Sequence, residues 1–155
     1  MYSKGDNPVP SLKSRALRYL AAREHSRAEL ERKLRSADEE AGELARVLDE
    51  LEAKGFISAE RVAESVLHRR ASRFGTSRIR RELQDKGLDA ETVQASVAQL
   101  QATEFERARE VWRRKFAEPA PDAAGRAKQM RFLAARGFGT DTIRRVVSEA
   151  GDDDE

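Results

Sequence analysis

Apolar residues recur at helical spacing along most of this chain. Three stretches, 44–51, 93–100 and 143–150, carry apolar side chains three and four residues apart. This spacing places them on one face of an α-helix. No segment of useful length alternates apolar and polar residues, as a half-buried strand would. The pattern therefore predicts an all-α protein.

Small polar residues mark where several of these helices begin. Ser26 is followed three residues later by Glu29, which is the spacing of a capping box. Ser58 precedes the stretch AERVAESVLHRRASRF, and Thr140 precedes the last apolar stripe. Serine and threonine side chains accept hydrogen bonds from the first free amides of a helix. We therefore expect Ser26, Ser58 and Thr140 to be N-caps.

Three glycines mark helix ends in the same way. Each follows a lysine or arginine and precedes an apolar residue, and the three are Gly55, Gly87 and Gly137. A glycine readily adopts the left-handed conformation that ends a helix, and the next apolar residue can fold back on the last turn. A cation near that end favours the helix dipole. The pattern predicts three helix C-termini just before these glycines.

Together these signals predict nine short helices, at residues 12–23, 27–35, 39–53, 59–73, 76–86, 89–100, 103–117, 124–136 and 140–149. The second helices of the three groups, SRAELERKL, GTSRIRREL and RAKQMRFLA, can be superposed. Two sets of residues then coincide: Leu30, Ile79 and Met130, and Leu34, Leu83 and Ala134. A period of about 50 residues is typical of a tandem repeat.

The predicted fold is an elongated, solenoid-like array of three tandem three-helix repeats. A unit of about 45 residues with few large apolar side chains buries too little surface alone, and stacking on neighbours supplies the rest. The expected organisation is a disordered leader (1–11), three repeats (12–55, 56–101 and 102–150) and an acidic tail (151–155).

Charge is distributed in blocks of opposite sign. The net charge is only +2, yet residues 38–54 hold seven acidic residues against two basic ones. Residues 69–81 hold six arginines and no acidic residue. Opposite blocks favour a specific interaction surface over a uniform coat for nucleic acid. The chain has no cysteine and no long apolar run, so we expect a cytoplasmic protein without a membrane segment.

Signatures of catalysis are missing. The sequence has neither a GxxxxGK[ST] loop nor an HExxH motif, and its carboxylates are spread among lysines and arginines at helical spacing. His25 precedes the Ser26 cap, where a structural role is expected, and His68 is expected to be exposed. Trp112 shares a helix face with Phe105 and Phe116, which indicates core packing. We expect no enzyme activity, cofactor or metal.

The stretch HRRASRFGTSRIRREL, residues 68–83, is the sharpest functional feature. Arginines in the last turns of a helix over 59–73 favour its C-terminus electrostatically. Those that open the next helix oppose its dipole, so local stability does not explain them. We therefore predict a contact surface for an anionic partner, formed by Arg69, Arg70, Arg73, Arg78, Arg80 and Arg81. A second, weaker patch is Arg113, Arg114 and Lys115.

Two kinds of partner fit this surface. In a module of the helix-turn-helix type, RIRREL would contact DNA phosphates. The acidic block opposes that interpretation, and Gln84 is the sole amide side chain between residues 76 and 86 for reading bases. In a protein-docking module, alternating charged faces would suit a charged groove and steer association. The residues alone leave both open.

Three stretches of the chain are distinctive together: ALRYLAAREHSRAELERKL (16–34), GFISAERVAESVLHRRASRFGTSRIRRELQDKG (55–87), and the pair REVWRRKF with RAKQMRFLAARGF (109–116 and 126–138). In this order they resemble the RecX family, bacterial regulators of the RecA recombinase. The resemblance covers about residues 15–148. One departure is Val62, which stands where relatives commonly carry phenylalanine.

The resemblance implies a non-enzymatic regulator of three tandem three-helix repeats. Such proteins bind within the helical groove of the RecA–single-stranded-DNA filament. They inhibit its ATPase, strand-exchange and co-protease activities. On this basis we expect a RecA filament as the partner, with weak binding to single- or double-stranded DNA left open, and a monomer as the acting form.

Overall fold

The computed structural model describes residues 9–152, and all regular structure in that range is helical. The α-helices are α1 (Leu12–Ala22), α2 (Arg27–Leu34), α3 (Glu43–Ala53), α4 (Ala59–Arg70), α5 (Thr76–Asp85), α6 (Ala90–Ala102), α7 (Glu104–Lys115), α8 (Ala123–Ala135) and α9 (Thr140–Asp152). One 3-10 turn, Arg35–Ala37, follows α2. Over the same residues, no helix is long and apolar enough to cross a membrane. The predicted all-α class is confirmed.

The predicted leader and acidic tail lie mostly outside the described residues, which exclude 1–8 and 153–155. At the N-terminal end, Ser11 is the N-cap of α1 and accepts a hydrogen bond from the amide of Ser14 at 3.1 Å. At the other end, α9 continues through Gly151 to Asp152. The last helix therefore extends three residues beyond its predicted end.

Two of the three predicted N-caps are confirmed. Ser26 and Glu29 form the reciprocal capping box, with the two side-chain-to-amide hydrogen bonds at 3.1 and 3.2 Å. Ser58 accepts a hydrogen bond from the amide three residues later at 3.2 Å. The prediction for Thr140 is wrong by one residue, because α9 begins at Thr140 itself and Gly139 precedes it.

The three predicted helix ends at glycine are confirmed, although Phe56, which follows the first of them, is exposed. Gly55, Gly87 and Gly137 have φ of 80°, 73° and 91°. In each turn the glycine amide bonds the carbonyl three residues back, at 2.9–3.0 Å, and the next amide bonds the carbonyl five residues back, at 2.9–3.4 Å. This is the Schellman arrangement, which satisfies the free carbonyls at a helix end.

Two helix boundaries differ from the prediction in ways that matter for the charged blocks. Helix α3 begins at Glu43, four residues later than predicted, after Gly42 with φ of 83°. The left-handed glycine separates the acidic residues 38–40 from the helix. Helix α4 ends at Arg70, so Arg73 lies in the connection to α5 and not in the last turn of a helix.

The chain divides into two compact units, with the boundary between Val62 and Ala63. The first unit has one core, built on α1–α3 from aliphatic side chains: Leu12, Ala16, Leu30, Leu34, Leu44, Leu48, Leu51 and Ile57. All eight are at most 7% exposed. The second unit has two cores, one among α4–α6 and one among α7–α9.

The core of α7–α9 corrects the predicted alignment of the third repeat. The buried residues of α8 are Gln129 and Leu133, whereas Ala134 is exposed. Gln129 is buried because its Oε1 accepts a hydrogen bond from Trp112 Nε1 at 3.0 Å. Because Gln129 is polar, the apolar spacing of α8 does not reveal its buried face. The predicted alignment of Met130 and Ala134 is therefore wrong by one residue, and Gln129 and Leu133 take those places.

Candidate functional site

The connection between α4 and α5, residues 71–75, is held from inside by Arg107 of α7. Its guanidinium group donates to the carbonyl oxygens of Ala71 at 2.9 Å and Phe74 at 2.6 Å. It also donates to the carbonyl of Leu100 at 2.9 Å, at the end of α6. Burial lowers the pKa of Arg107, and the Glu104 carboxylate opposes that shift. One side chain therefore fixes the loop that carries Arg73 of the predicted basic surface.

The start of α5 is docked on the end of α8. The amide of Gly75 donates to the carbonyl of Arg136 at 2.7 Å, and Ser77 Oγ donates to the carbonyl of Gly137 at 3.0 Å. A Cβ on Gly75 would overlap the backbone of Gly137, so only glycine permits this approach. Glu104 Oε1 accepts from the amide of Thr76 at 3.0 Å. The second and third repeats are joined at this point.

Four guanidinium groups surround the ring of Phe74. Their Cζ atoms lie 4.0–5.6 Å from its centroid and belong to Arg70, Arg73, Arg78 and Arg136. Phe74 itself is 8% exposed. A cation within about 6 Å of an aromatic ring is attracted by the ring quadrupole. The attraction of the ring for these cations thus offsets part of the repulsion between the four guanidinium groups.

On one side of this cluster, a groove of about 260 Å³ runs between α4 and α5. Its lining comprises Arg70, Phe74, Arg78, Ile79, Arg81, Glu82 and Asp85. Arg70 Nε lies 3.3 Å from Glu82 Oε2, so the groove is partly neutralised. We call it the α4–α5 groove.

A second cavity, of about 250 Å³, joins the two predicted patches. It is lined by Ser72, Arg73, Val111, Arg114, Lys115, Phe132 and Arg136, and we call it the α7–α8 pocket. Arg114 is anchored there by a hydrogen bond of 2.8 Å from its Nη2 to the carbonyl of Ser72. Lys115 Nζ and Arg136 Cζ lie 5.4 and 5.1 Å from the ring centroid of Phe132.

The remaining predicted residues line neither cavity. Arg69 donates to the carbonyl of Ser65 in its own helix at 3.3 Å. Arg113 lies 3.5 Å from Glu110 Oε2, also within one helix. Arg80 lines a separate groove of about 540 Å³ between α5 and α6, together with Gln84, Leu88, Ala90, Val93, Gln94, Val97, Ala98 and Gln101.

Two points of the sequence interpretation change here. Arg78 has a local explanation after all, because its Nη1 lies 3.4 Å from the carbonyl of Ala135 at the C-terminal end of α8. A cation is favourable at such an end. Arg136, by contrast, was not among the predicted site residues. In the sequence, Arg136 is marked only as the cation that precedes the Gly137 turn.

The two histidines differ in the way that was expected. His25 is 1% exposed and bonded to its neighbours, whereas His68 is exposed on α4. Within residues 9–152, no three histidine, aspartate or glutamate side chains are grouped so that they could hold a metal ion.

Each of the three helical repeats matches a known protein family. Residues 13–51, 60–97 and 102–147 match the families described as the first, second and third three-helix domains of RecX. A regulatory protein RecX from Leptothrix cholodnii is 53% identical over 142 residues, which are 92% of this chain and 90% of that protein. One from Ralstonia nicotianae is 50% identical over 140 residues, with 90% and 88% covered.

Solved structures agree on the fold. The crystal structure of RecX from Lactobacillus salivarius has a TM-score of 0.77 and 21% identity, and the match covers 90% of this chain and 94% of that one. The predicted array of three tandem three-helix repeats is confirmed. This chain belongs to the RecX family of regulatory proteins.

Proposed function

We propose that this protein binds in the groove of the filament that the RecA recombinase forms on single-stranded DNA. There it lowers ATP hydrolysis, strand exchange and co-protease activity, and it acts by binding, without catalysis of its own. Membership of a family of regulatory proteins supports a regulatory role. The proposed site of action is the cytoplasm.

The observation that carries the proposal is the convergence of cations on residues 71–75. The first predicted patch ends at Arg81, and the second begins at Arg113, 32 residues later in the sequence. The α7–α8 pocket brings Arg73 of the first patch next to Arg114 and Lys115 of the second. A cluster of like charges raises the local potential and steers an anionic partner toward it. The proposed contact residues are Arg69, Arg70, Arg73, Arg78, Arg80, Arg81, Arg113, Arg114 and Lys115, to which the geometry adds Arg136.

The alternative function, direct reading of DNA by α5, is less well supported. In a helix-turn-helix module, the first residues of the recognition helix contact base edges. Here those residues are already engaged, since Gly75 and Ser77 bond the end of α8 and Thr76 is buried against Glu104. The start of α5 is therefore closed to a duplex in this arrangement.

Co-sedimentation separates the two functions. RecA filaments assembled on single-stranded DNA with a slowly hydrolysed ATP analogue are pelleted with the protein. We expect most of it to pellet with filaments at physiological salt, and a much smaller fraction to pellet with the same DNA alone. Equal recovery with naked DNA, or none with filaments, would contradict filament binding.

A further inference from the structure

The α7–α8 pocket brings four cations together and has no acidic residue in its lining. Arg73, Arg114, Lys115 and Arg136 all contribute, beside Ser72, Val111 and Phe132. The nearest compensation is weak, because Arg114 Nε is 4.0 Å from Glu110, at the limit of an ion pair. The pocket is therefore a concave and strongly cationic site.

Within residues 9–152, three of these cations have no acidic partner. Arg73, Lys115 and Arg136 form no ion pair there, and their charged groups lie over the rings of Phe74 and Phe132. Arg27, in the first unit, is by contrast paired with acidic residues. Arg27 in the first unit lies 2.6–3.2 Å from three carboxylates, those of Glu31, Asp49 and Glu52.

The two sites differ in how their positive charge is stabilised. Hydrogen bonding to Asp49, above all, raises the pKa of Arg27, so that its charge is stabilised within the chain. In the α7–α8 pocket, four like charges repel one another. Cation–π contacts, one carbonyl and the 4.0 Å approach of Arg114 to Glu110 relieve that repulsion in part. A bound anion would remove that repulsion.

We infer that the α7–α8 pocket binds a phosphate group of a nucleotide ligand. Guanidinium groups present planar pairs of donors that match the oxygens of a phosphate, and Lys115 adds a point charge. A single carboxylate would leave most of the positive charge uncompensated. A volume of about 250 Å³ leaves room for more than one phosphate or for a phosphate with part of its sugar.

The same chemistry can come from two sources, the phosphodiesters of single-stranded DNA or the phosphate chain of a free nucleotide. In both, the pocket itself recognises phosphate, without reading a base. The inference goes beyond the proposed function, because it concerns the protein alone and needs no RecA. Each can therefore fail while the other stands.

The test uses the full-length protein and two probes, a fluorescein-labelled oligo(dT) and inorganic triphosphate. Anisotropy measures the first and calorimetry the second, at low salt. The pocket variant is Arg73→Gln with Lys115→Gln, two exposed residues. The matched control is Arg126→Gln with Arg144→Gln, which removes the same charge from exposed positions outside the pocket.

We expect the pocket variant to weaken binding of at least one probe by about tenfold or more, and the control by about twofold or less. For oligo(dT), the slope of log K against log salt should fall by about 1.4, since each lost phosphate contact contributes about 0.7. Restoring charge with Arg73→Lys and Lys115→Arg should recover most of the affinity.

Sensitivity of oligo(dT) supports a DNA phosphodiester as the source, and sensitivity of triphosphate alone supports a free nucleotide. No binding of either probe to the native protein would overturn the inference. Equal weakening by the pocket and control variants would overturn it too. Circular dichroism shows whether both variants keep their helix content. If the pocket variant unfolds, the charge-restoring variant still tests whether positive charge at residues 73 and 115 is sufficient for binding.

Discussion

Arg107 Nη1 lies 2.6 Å from the carbonyl oxygen of Phe74, 33 residues earlier in the chain. The same guanidinium group bonds the carbonyls of Ala71 and Leu100 and the hydroxyls of Thr76 and Thr103. A half-buried side chain of α7 thus decides where the loop of the basic surface lies. The position of Arg73 in that loop therefore depends on a residue outside the predicted surface.

Replacing Arg107 by methionine should destabilise the second unit. The apolar stem is kept, but buried carbonyls lose their donors, and each such loss costs about 1–3 kcal/mol. Three carbonyls lose a donor, so we expect a total loss of about 3 kcal/mol or more in the free energy of unfolding. Trp112, the lone tryptophan, reports it by fluorescence in urea.

The matched control is Arg109→Met, at an exposed position of the same helix. Its effect should stay within about 0.5 kcal/mol, as for most surface changes. Equal stabilities of the two variants would remove Arg107 from the account.

Gly75→Ala should damage the joint between the second and third repeats. The added Cβ would overlap the carbonyl of Gly137, which is held by the turn that ends α8. Because backbone cannot yield as a flexible side chain does, we expect a loss of about 2 kcal/mol or more. Gly151→Ala, where a Cβ meets open space, should be neutral or stabilise by up to about 1 kcal/mol. Tolerance of alanine at residue 75 in a urea titration would disprove the close approach.

The first unit should lose stability in mild acid through His25. Its Nε2 lies 2.8 Å from Lys33 Nζ and must accept, because an ammonium group can only donate, so the proton is on Nδ1, which donates to the carbonyl of Arg23 at 3.1 Å. Burial, first of all, lowers the pKa of His25, as do the charges of Arg23 and Lys33, whereas the hydrogen bond to the Arg23 carbonyl and the charge of Glu29 raise it.

Folded and unfolded His25 take up a proton at different pH. Unfolded histidine takes up a proton near its ordinary pKa of about 6.5, while folded His25 stays neutral to lower pH. The contribution is therefore present above about pH 6.5 and is lost as the pH falls through the lower folded-state pKa. Thermal melts by circular dichroism at pH 7.5 and 5.5 measure it.

His25→Gln should flatten this pH dependence, whereas His68→Gln, at an exposed position, should retain it. An identical pH dependence in the native protein and His25→Gln would show that other groups are responsible.

Local signals explain why so much of the fold could be predicted. The capping box at Ser26 and the turns at Gly55, Gly87 and Gly137 each depend on a few neighbouring residues. Fold class and repeat number follow from those boundaries and from the spacing of apolar residues. The late start of α3 was missed, since nothing in the helical pattern reveals the left-handed Gly42.

The arrangement of the site depends on contacts that the sequence does not display. Arg136 reaches Phe74 across 62 residues, and Arg107 reaches the same loop across more than 30. Gln129 occupies a core position that apolar periodicity cannot identify. The run of arginines was visible in the sequence, but which of them converge was not.

Charge reversal on the basic surface should weaken inhibition of RecA without unfolding the protein. Arg73→Glu with Arg81→Glu is preferable to any variant of Arg78, because Arg78 packs on Phe74 and bonds the end of α8. We expect at least about a tenfold higher concentration for half-inhibition, since two attractive contacts become repulsive. Arg126→Glu with Arg144→Glu controls for net charge. Unaltered inhibition by the first variant would remove these residues from the contact surface.

The central claim is that this protein restrains the RecA filament, and ATP hydrolysis tests it most directly. The rate of hydrolysis by RecA on single-stranded DNA is followed while the native protein is added in substoichiometric amounts. The account predicts a progressive fall in that rate, with the Arg73→Glu and Arg81→Glu double variant far less effective. A rate that stays unchanged as native protein is added would contradict it.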